Sequence, residues 1–138
     1  MNVSKHITLY EAIKSPTAMR YGIDNTPNDS VLKNMENVAN YCFEPLREWY
    51  EKPIRINSFY RSVELNKKVG GKTNPVSQHT KGEAIDMDAG SREENKKLFD
   101  WCKANLIYDQ LINEYNFSWV HISYTTVNTN RNEIVAVK

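Results

Sequence analysis

The chain carries three histidines, and two of them stand where chemistry is expected. His79 lies in "SQHTKGEAIDMD", residues 77–88, seven positions ahead of Asp86. His121 lies in "SWVHISY", residues 118–124. Two imidazoles and one carboxylate form a three-ligand set typical of catalytic zinc, with a fourth tetrahedral position open for water. Cobalt and manganese accept the same ligand types, but an open site of this composition makes zinc the first choice. In such a site zinc lowers the pKa of water to about 7 and polarises a carbonyl as a Lewis acid. The predicted chemistry is hydrolysis of an amide bond.

These residues need elements to bring them together. Glu83 to Asp88 reads as a strand whose alternation sends Ile85 and Met87 to one face and Ala84, Asp86 and Asp88 to the other, so either acid could serve as the ligand. "YDQLINEY" and "SWVHISY" read as a hairpin. With a two-residue turn at Asn116 and Phe117, Glu114 lies opposite Trp119 and Ile112 opposite His121. Glu114 and His121 are then diagonal neighbours on one face, roughly 7 to 8 Å apart at Cα. A carboxylate at that distance reaches a water beside the metal without ligating the metal, which makes Glu114 the candidate general base and acid. A one-residue change in the turn would reverse the face. Arg61, at the end of "INSFYRS", is a candidate for orienting a substrate carboxylate or stabilising an oxyanion, against the plainer reading of a surface ion pair. Ser77, Gln78 and Ser123 are candidate polar neighbours that bind substrate or fix the imidazole tautomers.

The remaining elements form a frame of helices and strands. "TLYEAIKS" has the Thr8 to Glu11 spacing of a capping box and predicts a short helix ending before Pro16. Residues 15–25 read as a loop. Thr26 as N-cap and Pro27 at the first helical position open the main core helix, with Val31, Met35, Val38, Cys42, Leu46 and Trp49 on its inner stripe and a kink or division at Pro45. "IRINSFY" predicts a strand, and "SVELNKKVGG" a helix from Ser62 stopped by Gly70 and Gly71. Ser91 and Glu94 predict a boxed helix over "SREENKKLFDWCKANL", and "EIVAVK" a last strand. Helices come mostly early and strands mostly late, so the expected class is α+β, with helices packed on a largely antiparallel sheet in a single domain over residues 1–138.

Composition narrows the function. The 138 residues include 18 basic and 17 acidic side chains, which gives no nucleic-acid footprint and no polybasic membrane patch. No stretch has the length of a transmembrane span or the apolar core of a signal peptide, so the expectation is synthesis in the cytoplasm without integral membrane association. Cys42 and Cys102 fall on helix stripes and read as buried free thiols. His6 reads as a surface or capping residue with nothing to pair with it. Taken singly, His121 could be a half-buried strand histidine and Asp86 a helix cap.

"SxHxxGxAxD", written here by Ser77, His79, Gly82, Ala84 and Asp86 and followed by "WVHISY", resembles the zinc D-Ala-D-Ala carboxypeptidase family. That family shares its fold with the hedgehog signalling domain and the phage L-alanyl-D-glutamate endolysins. The similarity extends to "FYRSVELNKKVGG", "YDQLINE" and, more weakly, "IDNTP" and "EPLREWY". It implies zinc held by His79, Asp86 and His121, Arg61 at the substrate, and cleavage in the stem peptide of peptidoglycan or a muropeptide. Many relatives carry the catalytic acid three residues before the last histidine, where this chain has Ser118. Others carry it at the end of the preceding strand, a pattern matched by Asp109 and Glu114. The expected protein is therefore a monomeric zinc peptidase of D-Ala-D-Ala carboxypeptidase or L-Ala-D-Glu endopeptidase type, either a phage-type lytic enzyme released to the wall through a membrane lesion or a cytoplasmic dipeptidase. The alternative is a non-catalytic zinc-binding module of the same fold that recognises cell wall or protein.

Overall fold

Five strands supply the framework of the computed structural model, which describes residues 1–138. They are β3 (Arg55–Ser58), β4 (Ala84–Asp88), β5 (Gln110–Glu114), β6 (Trp119–Ser123) and β7 (Glu133–Val137). Their order across the sheet is β3-β4-β6-β5-β7. A separate two-stranded ribbon joins β1 (Asn2–Ser4) to β2 (Ile7–Thr8). The β3–β4, β4–β6 and β5–β6 pairs are antiparallel, and β7 runs parallel to β5, so the sheet is mixed at one edge. The parallel edge is held by contacts distant in sequence. β6 ends beside the start of β5, where Asp109 N–H donates to Ser123 O. The following loop is pinned there by Arg131, whose Nε and Nη2 donate to Asp109 at 3.0 and 2.7 Å. β7 must then set out beside β5 in the same direction.

Six helices complete the α+β fold. In α1 (Leu9–Ile13) both halves of the Thr8–Glu11 capping box are present. Residues 16–21, expected as loop, form α2 (Pro16–Tyr21): Ser15 caps the Ala18 N–H, Pro16 takes the first turn, and Gly22 ends the helix at φ +63°. α3 (Asp29–Val38) starts two residues later than the Thr26 cap implied, because the Asn28 side chain accepts from Val31 N–H at 2.9 Å. The division expected near Pro45 is a wide turn over Ala39–Phe43, in which Glu44 N–H reaches back to Ala39 O, followed by α4 (Glu44–Tyr50). Pro45 has no N–H to donate, and the wider turn before it absorbs the mismatch. α5 (Val63–Lys68) is capped by Ser62. α6 (Arg92–Asn105) has only half of its expected box. Ser91 accepts from Glu94 N–H, but the Glu94 carboxylate turns instead to Tyr50, Lys52 and Lys97.

Ile85, Met87, Leu111, Val120 and Ile122 project from one sheet face into the helices, where they join Met35, Val38, Phe43, Leu46 and Leu98 in the core. Cys42 and Cys102 are buried free thiols, and burial pushes the Cys42 thiol up to about 12. Trp49, expected to face inward, is 45% exposed and stacks on Trp101 with ring centres 5.3 Å apart. His6 does have a partner, since its Nδ1 lies 2.7 Å from Glu44 Oε1. No helix is long and apolar enough to cross a membrane.

Candidate metal centre

Strand alternation places the first two donors. Asp86 in β4 pairs directly with His121 in β6, on the sheet face opposite the helices. His79 arrives from outside the sheet, on a 3₁₀ turn over Gln78–Lys81 whose first residues are capped by Ser77 Oγ. The turn ends at Gly82, which has φ +71° and packs so closely on α3 that an added Cβ would lie 2.7 Å from Met35 Cγ. Only glycine suits both demands. The turn thereby delivers a buried His79 to the end of the strand that carries Asp86.

Both imidazoles address one carboxylate, each at its own oxygen. His121 Nδ1 lies 2.9 Å from Asp86 Oδ1, and His79 Nε2 lies 3.3 Å from Asp86 Oδ2. The rings cross at 81° with centres 5.2 Å apart, and one potential ligand atom from each of the three residues lies within 4.8 Å of the others. His79 Nδ1 sits 2.7 Å from the Phe59 carbonyl oxygen, which can only accept, so that nitrogen carries a hydrogen. In a neutral ring Nε2 then turns a lone pair toward a carboxylate that also only accepts. A cation between them, proton or metal, resolves that opposition, and the donor set suits a divalent ion. Burial by itself would raise the Asp86 carboxyl. The charge of His79 and the hydrogen bonds from both histidines outweigh it and hold Asp86 below the usual carboxylate range.

Around this centre the structure distributes the other sequence-predicted residues. Glu114 pairs with Trp119 and Ile112 with His121, the expected register, although Tyr115–Ser118 form a four-residue turn with φ positive at Tyr115, Asn116 and Phe117. Glu114 faces the centre: burial and the nearby Asp86 charge push its carboxyl above the ordinary value, against the pull of His121 and Arg61. Arg61 feels the charges of Asp86 and Glu114, and burial lowers its guanidinium from its ordinary value. Its Nη2 reaches Ser77 Oγ at 3.4 Å, while Nε is buried without a protein partner. His121 Nε2 and Trp119 Nε1 are likewise buried and unpartnered.

The expected polar neighbours make other bonds than those to the rings. Ser77 Oγ accepts from His79 N–H at 3.2 Å, Ser123 Oγ accepts from Gln110 N–H at 3.0 Å, and the Gln78 backbone carbonyl accepts from Glu83 N–H at 3.0 Å. The tautomer of His79 is set by the Phe59 carbonyl, which no sequence motif announces because a backbone oxygen belongs to every residue. Asp88, the alternative ligand, is engaged elsewhere: its Oδ1 accepts from Gly90 N–H at 2.8 Å and Asn95 Nδ2 at 3.1 Å. Ser118 lies in the turn, its hydroxyl donating to Tyr115 O at 2.7 Å.

Residues 5–123, and with them every residue of this centre, match the Peptidase M15 family. The chain belongs to that family. M15 peptidases are metal-dependent enzymes of the zinc D-Ala-D-Ala carboxypeptidase type, acting on peptidoglycan-type substrates. The match ends at Ser123, so the Asp109–Arg131 anchor and β7 lie partly or wholly beyond it. No curated protein matches the chain.

Proposed function

We propose that this M15 chain is a zinc peptidase that hydrolyses a peptide bond in the stem peptides of peptidoglycan. The observation that carries the reading is the convergence of His79 Nε2 and His121 Nδ1 on the two oxygens of Asp86. His79, Asp86 and His121 hold the metal. When bound, zinc supplies a Lewis acid for the scissile carbonyl and lowers the pKa of a water to about 7.

The chain's own groups carry the rest. Glu114 takes a proton from water at a carboxylate oxygen and returns it to the departing amine, a task favoured by a carboxyl raised toward the working pH. Arg61, half-buried with Nε free of protein partners, holds a substrate carboxylate by its planar pair of donors. Ser77 and Gln78, partly exposed on the 3₁₀ turn, offer polar contacts for the peptide, whereas Ser123 is fully buried and holds the start of β5 through Gln110 N–H. A substrate carboxylate at Arg61 fits removal of a terminal D-Ala, and the same arginine fits the free α-carboxylate of D-Glu beside an L-Ala-D-Glu bond.

The test is mass spectrometry of purified peptidoglycan fragments incubated with zinc-loaded protein, beside a chelator-treated control. The expected result is new fragments that disappear with chelator. Loss of D-Ala identifies a carboxypeptidase, and release of stem peptide after L-Ala an endopeptidase. Unchanged fragments from several wall types, with zinc confirmed in the protein, would favour a zinc-binding recognition module instead.

A further inference from the structure

Phe59, Tyr60, Arg61 and Ser62 link β3 to α5 without regular structure, yet two parts of the site depend on them. The Phe59 carbonyl accepts from His79 Nδ1 at 2.7 Å. Tyr60 N–H donates to Ala12 O at 3.0 Å, and Arg61 N–H donates to His79 O at 3.1 Å. Ser62 N–H donates to Asn25 Oδ1 at 2.7 Å. Asn25 is buried, and its Nδ2 donates to Ile13 O at 2.8 Å and to Tyr60 O at 3.1 Å. A single side-chain amide thus satisfies the last carbonyl of α1 and grips the backbone on both sides of Arg61.

We infer that Asn25 is a positioning residue that fixes Arg61 toward the substrate and, through the same segment, the Phe59 carbonyl toward His79. The inference rests on the proposed role of Arg61 in holding a substrate carboxylate. Asparagine suits this place because its planar amide offers two donors and an acceptor at once. Aspartate would keep the acceptor for Ser62 but set a carboxylate against two carbonyl oxygens, and alanine would leave all three backbone groups without this partner. Buried irregular backbone is held in one conformation only where such groups are paired. Loss of the clamp therefore frees the 59–62 segment while the β4–β6 ladder keeps its own bonds.

The first arm of the test is amide hydrogen exchange on the full chain by NMR, for wild type, Asn25→Ala, and Asn25→Asp, which keeps the acceptor for Ser62. The expected result is exchange about 10-fold faster or more at Arg61 and Ser62 in each variant, with β4 and β6 amides much less affected. An unchanged Arg61 amide, or equal acceleration across the sheet, would overturn the inference. The second arm compares hydrolysis of a stem peptide bearing a free terminal carboxylate with its amidated counterpart. Asn25→Asp should lower the preference for the free acid about 10-fold, chiefly through KM, and should leave it unaltered in an Arg61→Ala background. A preference that survives Arg61→Ala would refute the carboxylate role of Arg61, and the exchange arm then decides by itself whether Asn25 positions the segment. Equal losses on both peptides would reduce Asn25 to a structural residue.

Discussion

Ile85, Met87, Val120 and Ile122 point from β4 and β6 toward the helices, and none is more than 1% exposed. Asp86 and His121 occupy the same strands one residue along, face the other way, and are nearly as buried at 9% and 8%. Equal burial has opposite consequences on the two faces. Apolar side chains gain from leaving water, whereas a buried carboxylate is tolerated only when opposite charge or hydrogen bonds accompany it. On the helix side the core fills itself. On the other side Arg61 Nε, Trp119 Nε1 and His121 Nε2 lack protein partners, and the two carboxyls are displaced in opposite directions. One face gives the fold its stability, and the other presents buried donors and acceptors that the protein itself leaves unpaired.

The widest separation between the faces comes from Glu114→Gln. It should lower hydrolysis about 10²–10⁴-fold while metal content stays stoichiometric, because proton transfer is lost and the ligands remain. Single-turnover rates beside metal analysis check it, and full activity would move the base elsewhere. On the core face, Leu111→Ala should cost about 2–5 kcal/mol of stability, read from the urea midpoint. The folded fraction of that variant should bind zinc as wild type does, since Leu111 points away from Asp86 and His121. A loss of zinc affinity there would mean the faces are coupled.

A smaller effect concerns pH in chelator-treated protein. Asp86 is depressed on folding, so its contribution is present above the ordinary carboxyl range and is lost as pH falls through its lowered value. Glu114 is raised, so the folded state binds its proton more tightly, and stability falls as pH rises from the ordinary value toward the raised one. Glu114→Gln should flatten that fall and leave the acid-side loss intact. Urea titrations at several pH values distinguish the two slopes, and an unchanged profile in the variant would place Glu114 in ordinary solvent.

The polar face was more legible in the sequence than its supports were. Period-two alternation in "EAIDMD" and the hairpin register follow from residue spacing, and the observed Glu114–Trp119 and Ile112–His121 pairs agree with it. Caps written in local letters, such as Thr8–Glu11 and Ser62, could be read in the same way. α2 is hard to read because its six residues have no apolar periodicity, although Ser15, Pro16 and Gly22 are start and stop signals. The parallel course of β7 depends on Arg131 meeting Asp109 across 22 positions, which no local pattern encodes. Asn25 and the Phe59 carbonyl were invisible for a related reason: their importance lies in distant backbone groups that carry no sequence signature.

The role proposed for His79, Asp86 and His121 is to hold one zinc ion together on the polar face. Its most direct test is zinc content by elemental analysis after dialysis, in wild type and in His79→Ala, Asp86→Ala and His121→Ala. The expected result is about one zinc per chain in wild type, loss of zinc in all three variants, and with it loss of the zinc-dependent rise in Tm. Stoichiometric zinc in any of the three, or a wild-type protein that takes up none, would contradict it.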